Sequence, residues 1–202
     1  NFKAIMTEWG IDAFICSCQL LLTPTATKLA KFTEVMIRKQ IIPHNQMPQP
    51  GTYFTEQAWD LAKTDGYGSD RSVGMRGQFT IAGPLAGRMF VTEIVRGRFS
   101  KSDLPFQIAN LALRGQPVQN LGIEKSPGAD FLENDIKRAL IKVGYSDAPS
   151  IEWIPVDNQK GAKNARALTL EAVFENSQIF FSDQIPEDLM KDLAWKSFDG
   201  KI

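Results

Sequence analysis

Two acidic residues lie in or at the end of apolar runs, and one of them stands where an apolar residue would pack better. Asp60 lies in Tyr53-Phe54-Thr55-Glu56-Gln57-Ala58-Trp59-Asp60-Leu61-Ala62, a run that otherwise reads as a strand. Glu124 ends Val118-Gln119-Asn120-Leu121-Gly122-Ile123-Glu124, a second short apolar strand. Burying a carboxylate costs several kcal/mol unless something compensates, and a bound cation is one such compensation. Two strands that each deliver an acid to one end of a sheet point to a divalent-metal site. Carboxylates with open positions suit Mg²⁺ or Mn²⁺. Two such ions roughly 3.5–4 Å apart activate a water and stabilise the leaving oxygen in phosphodiester cleavage. Each acid also has a plainer reading. Asp60 would pair with an arginine or face solvent; Glu124 would cap the turn before Pro127.

The flanking pattern must bring these acids together. Strand signals run over 52–62, 71–81 and 88–96, and the turn-rich Ala82-Gly83-Pro84-Leu85-Ala86-Gly87 joins the last two, so the three read as an antiparallel meander. Leu104, Ile108, Leu111 and Ala112 recur at helical spacing. Ser102 is the expected N-cap, with Asp103 in the first turn. After the strand at 118–124, Pro127-Gly128 opens a helix carrying Phe131, Leu132, Ile136, Leu140 and Ile141. A strand over 151–156, a helix over 160–175, a hairpin at Asn176-Ser177 leading into 178–181 and a last helix from Pro186 complete the order. Three antiparallel strands running into α/β crossovers predict an α/β protein with a mixed sheet and helices on its faces. In that topology the strand at 118–124 lies beside the first strand, and Asp60 meets Glu124 near one edge of the sheet.

Composition narrows the class. The chain has 202 residues, 43% hydrophobic and 23% charged, the profile of a soluble globular protein. Formal net charge is zero, so a nucleic-acid partner requires a local basic face rather than bulk charge. Cys16 and Cys18 are the only cysteines; their C-x-C spacing offers no disulfide framework and fits a reducing compartment. With two cysteines and the single His44, which sits in a loop, the composition argues against a zinc centre. No run of about 18 apolar residues occurs, so no membrane span is expected, and the apolar stretch 12–22 lacks the basic leader of a signal peptide. Residues 1–37 read as largely helical. Residues 43–51 hold three prolines and a glycine, a linker signature. The expected organisation is a helical arm and linker over 1–50 and the sheet domain over 51–202.

Several segments, in order, carry a resemblance. Cys18-Gln19-Leu20-Leu21-Leu22-Thr23-Pro24 looks like an interdomain segment. Ala58-Trp59-Asp60-Leu61-Ala62 resembles a W-D-x-A strand bearing a metal-binding aspartate. Asp70-Arg71-Ser72 resembles an acid opening the next strand, and Gly122-Ile123-Glu124 an I-E strand end. Lys163-Asn164-Ala165-Arg166 resembles a K-x-x-R helix. The stretch 174–181 looks like an E-x-G-x-V-x-F hairpin, and 193–200 like the segment before a final acidic pair. Together these resemble the C-terminal nuclease domain of phage terminase large subunits, the DNA-packaging motors, within the ribonuclease-H-like superfamily.

The resemblance implies a ribonuclease-H-like mixed sheet with helices on both faces. It implies a metal-dependent endonuclease that cuts double-stranded DNA. Asp60 and Glu124 would be its catalytic acids. With Asp70 they would hold two ions, Mg²⁺ or Mn²⁺. Lys163 and Arg166 would contact DNA phosphates. From the residues alone, Arg71, Arg76, Arg96 and Arg98 read either as an extension of that surface or as ordinary strand-edge arginines. The implied partners are double-stranded DNA, the ATPase domain of the same polypeptide, a small terminase subunit and a portal, in the cytoplasm of a bacterial host carrying the phage or prophage. Two departures stand out. No G-x-x-x-x-G-K-S/T occurs, so the phosphate-cradling ATPase domain is not in these residues. The family's final acid pair is expected just past Ile202, and the chain is expected to be part of a longer protein. Two alternatives stay open: a catalytically incomplete DNA-gripping or docking module, and another ribonuclease-H-like branch such as a resolvase or integrase-like transferase.

Overall fold

The computed structural model describes residues 34–48, 51–62, 71–125, 132–145, 149–155 and 172–190. In chain order the elements are α1 (Glu34–Lys39), β1 (Ile41–Ile42), β2 (Tyr53–Asp60), β3 (Ser72–Thr80), β4 (Met89–Gly97), α2 (Leu104–Leu113), β5 (Asn120–Glu124), α3 (Leu132–Lys142), β6 (Ser150–Ile154) and β7 (Ile179–Ser182). They form a seven-stranded sheet in the order β1-β7-β4-β3-β2-β5-β6. β2, β3 and β4 make the expected antiparallel meander. β5 returns parallel to β2, β6 parallel to β5, and β7 parallel to β4. β1 precedes the proline-rich 43–51 segment and pairs parallel with β7 in the same sheet.

Strand alternation sends successive side chains to opposite faces. Trp59 of β2 and Leu121 and Ile123 of β5 point to one face. There they pack with Ile108 and Leu111 of α2 and Ile136 and Leu140 of α3 in a buried core. The opposite face takes Phe181 of β7, which stacks on Phe174 with ring centroids 6.0 Å apart. Phe174 belongs to a helical turn over 172–175, tied to the end of α1 by Gln40 Nε2 donating to the Phe174 carbonyl at 3.0 Å. Helical segments therefore cover both faces. No helix among the described residues is long and apolar enough to cross a membrane.

Three local expectations are corrected. The α2 cap is Asp103, not Ser102, and its side chain does not cap; instead the Asp103 amide donates to Ser100 Oγ at 3.1 Å. Ile141 is 67% exposed, because the α3 stripe that reaches the core is Ile136, Ala139 and Leu140. Asn176-Ser177 does not turn a hairpin. The segment before it is helical, and Ser177, at φ 50°, ends that helical turn and passes the chain into the parallel strand β7.

One buried tie joins the helical layer to the strand that carries Glu124. The Tyr145 hydroxyl donates to the Ala112 carbonyl at 2.9 Å and accepts from the Val118 amide. Tyr145→Phe leaves both backbone groups buried without a partner, a loss of about 1–3 kcal/mol. We expect a lower urea midpoint at unchanged m-value; an unchanged midpoint would contradict it.

Candidate metal centre

The parallel pairing of β2 with β5 sets the position of both acids. Its register runs from Glu56↔Asn120 to Trp59↔Ile123. Asp60 and Glu124 are the next residues on each strand, so they leave the sheet level with one another. Both lie on the face opposite α2 and α3, since Trp59 and Ile123 point into that helical layer. Asp60 pairs on its other side with Val73, and Glu124 with Ile154.

Asp60 is half-buried, as is Glu124. Asp60 sits at the last position of β2. The deeply buried carboxyl on this strand is Glu56, 6% exposed. Burial pushes its pKa up to about 8; a hydrogen bond from Asn120 Nδ2 to Glu56 Oε1 at 2.9 Å opposes the rise and the nearby Glu152 charge adds to it. The sequence signal was available, because Phe54, Glu56 and Ala58 share one face of an otherwise apolar strand.

The direction of Asp60 is set by the residue before it. The Trp59 ring is fully buried and lies over Gly74 on the adjacent strand; a Cβ at Gly74 would stand 2.4 Å from ring carbons Cε2 and Cζ2. Phe99 closes the ring from the edge, centroid to centroid 6.3 Å. Past Asp60, the Ala62 amide donates to Ser72 Oγ at 3.0 Å and pins the chain as it leaves the strand. On the neighbouring strand, Gly122 leaves the space that the Ile154 side chain fills. Gly74→Ala must displace Trp59, and overpacking of this kind costs about 1–3 kcal/mol. A drop in melting temperature of several degrees is the expected reading; a melting temperature at the wild-type value would show that the ring does not need the slot.

The structure separates the other candidates. Asp70, Lys163 and Arg166 lie outside the described residues. Arg76 is not part of an exposed basic face, which corrects that expectation. Its side chain is 4% exposed, on the face of α2, where it pairs with Glu93 Oε1 at 3.4 Å and donates to the Gln116 carbonyl. Burial lowers its pKa and Glu93 opposes the change. Glu93 also binds Arg114 at 2.9 Å. Arg71 and Arg98 are exposed and Arg96 is half-buried, all at the Asp60 end of the sheet. His44 is held in a structural tie, its ring Nδ1 3.0 Å from Ser182 Oγ and its amide donating to Asp183 Oδ1 at 2.9 Å.

Asp60 and Glu124 offer only oxygen donors, the chemistry that suits Mg²⁺ or Mn²⁺. Their level placement at adjacent strand ends fits a shared ion. Among the described residues no group of three or more His, Cys, Asp or Glu side chains gathers as a metal cage.

A meander extended by parallel strands, with helical segments on both faces, is the ribonuclease-H-like architecture. No family model matches the chain, and no curated protein matches it in sequence. Solved structures do. The terminase nuclease domain of human cytomegalovirus, soaked with manganese, superposes with a TM-score of 0.52 at 8% identity over 76% of each chain. The same domain with manganese and a bound inhibitor gives 0.50 at 10% identity, again over 76% of each chain. The nuclease domain of the P22 large terminase gives 0.47 at 9% identity over 85% of this chain and 80% of its own. The chain therefore shares the fold of the human cytomegalovirus terminase nuclease domain.

Proposed function

We propose that this chain is the nuclease domain of a phage or prophage terminase large subunit, a metal-dependent endonuclease that cuts double-stranded DNA during genome packaging. The observation that carries the reading is the β2–β5 register, which sets Asp60 and Glu124 side by side at one end of a sheet shared with terminase nuclease domains. The manganese-soaked state of one such domain supports a divalent ion as the cofactor. Asp60 and Glu124, with Asp70, would hold Mg²⁺ or Mn²⁺, as two ions. When bound, the ions supply Lewis-acid activation of a water and neutralise charge at the scissile phosphate. The protein's own part is to hold two carboxylates level on rigid strands, so that no reorganisation is needed when a phosphate arrives. Lys163 and Arg166 would contact phosphates. Sequence preference is expected to be weak, because phosphate contacts carry no base information. The domain would work in the bacterial cytoplasm with its ATPase domain, a small terminase subunit and a portal.

The test is plasmid nicking by the purified chain with Mn²⁺ or Mg²⁺ against EDTA. Metal-dependent conversion to open-circular and linear DNA supports the reading; no cutting with either ion rejects it for this chain. The alternative is a DNA-gripping or docking module without chemistry. Calorimetry separates the two, since that module would hold DNA and bind no Mn²⁺.

A further inference from the structure

The row of residues that contains the acids continues across the sheet. Val73 pairs with Asp60 on one side and with Arg96 on the other. Glu124, Asp60, Val73 and Arg96 therefore form one row on one face, over four adjacent strands. Val95 packs against the helical core on the opposite face, which sends Arg96 to the face of the acids. Strands lie ~4.8 Å apart, so the Arg96 backbone is about 10 Å from that of Asp60.

More cations stand at this end of the sheet. Arg71 directly precedes β3, Arg98 follows β4 by one residue and Lys125 directly follows β5; all three are exposed. Positive charge that flanks two carboxylates suits a polyanion whose phosphates must reach those carboxylates. With cations held between the acids, the whole rim becomes attractive to phosphate.

We propose that Arg96, with Arg98, Arg71 and Lys125, forms a track for the sugar-phosphate backbone of DNA. The track runs across the strand ends and delivers a phosphate to Asp60 and Glu124. From β5 to β4 it spans three strand gaps, about 14 Å. That is the axial length of about four nucleotides at 3.4 Å each. The inference rests on the nuclease reading, but its test does not need cleavage.

The experiment measures anisotropy of a labelled short DNA duplex with the full chain in EDTA and in Ca²⁺, over a series of salt concentrations. Each phosphate contact removed lowers the slope of log affinity against log salt by ~0.9. Arg96→Gln and Arg98→Gln should each lower the slope by about that amount and weaken binding roughly 5- to 10-fold at moderate salt, equally for unrelated sequences. Arg96→Lys should restore the slope, and Arg138→Gln should match the wild type. If Arg96→Gln unfolds, Arg98→Gln, on an exposed side chain, decides. Wild-type slope and affinity in the Arg96 and Arg98 variants would overturn the track, even where Asp60-dependent cutting is intact. A slope that depends on Arg96 in a chain that never cuts would uphold the track and remove the nuclease reading. A wild-type chain that binds an acidic protein surface and no DNA would overturn both.

Discussion

Asp60→Ala should abolish metal-dependent DNA cleavage while leaving the fold standing. Asp60 is half-buried at the last position of β2, and the core contact beside it is made by Trp59, so removing the carboxylate opens no core cavity. Loss of a residue that merely orients a metal ligand costs about 10- to 100-fold in affinity or activity. Loss of a ligand itself should cost at least about 10²-fold. Glu124→Gln keeps the shape and removes the charge, and should fall in the same range. Nicking of supercoiled plasmid in Mn²⁺ gives the rate, and thermal unfolding by circular dichroism confirms the fold. A cutting rate for Asp60→Ala equal to the wild type would end the assignment.

Glu56→Gln should stabilise the protein at alkaline pH and flatten its pH dependence. The folded-state pKa of Glu56, about 8, lies above its ordinary value of 4.5, chiefly because the side chain is buried. The folded state therefore favours the neutral form. The stability this contributes is fully present below about pH 4.5, declines as pH rises and is gone above about pH 8. At ~1.4 kcal/mol per pH unit the ceiling is about 5 kcal/mol, and water entry on ionisation reduces it to a few. Glutamine keeps an acceptor for Asn120 and never ionises. Urea midpoints at pH 5.5 and 8.5 should diverge for the wild type and stay close for the variant in this contribution. Parallel profiles would show that Glu56 does not titrate in this range. Glu56 precedes Asp60 by four residues, about 13 Å along the strand, so Mn²⁺ affinity should not change.

The two carboxyls of β2 show why burial was harder to read than pattern. Alternation places Glu56 and Asp60 on the same face, and both interrupt an apolar run. Which one is buried depends on where the strand ends and on what crosses above it, and neither is local information. Arg76 makes the same point. As one of several strand arginines it looked like part of a basic surface. Its pairing with Gln57 turns it toward α2, where Glu93 and the Gln116 carbonyl hold it. The hairpin expected at Asn176-Ser177 failed for a related reason. The segment before the turn is helical, as expected, so Ser177 closes a helical turn and the strand after it pairs in parallel with β4, a partner distant in sequence.

The sequence by itself determined the meander, the strand at 118–124 and the helices on either side of it, through period-2 and period-3.6 apolar spacing and the glycine-rich turn at 82–87; the short β1 was not legible. It also determined that two acids end two apolar strands, and that the metal they suit would be a hard, oxygen-seeking cation. That those strands are neighbours was expected from the topology; only the tertiary structure decided their parallel register with level ends, that Arg96 shares the row of Asp60, and that Arg76 does not. Register is the physical reason. A slip of one residue would turn every side chain to the opposite face. That register is held by contacts distant in sequence, including Trp59 in the slot left by Gly74 and Ile154 over Gly122.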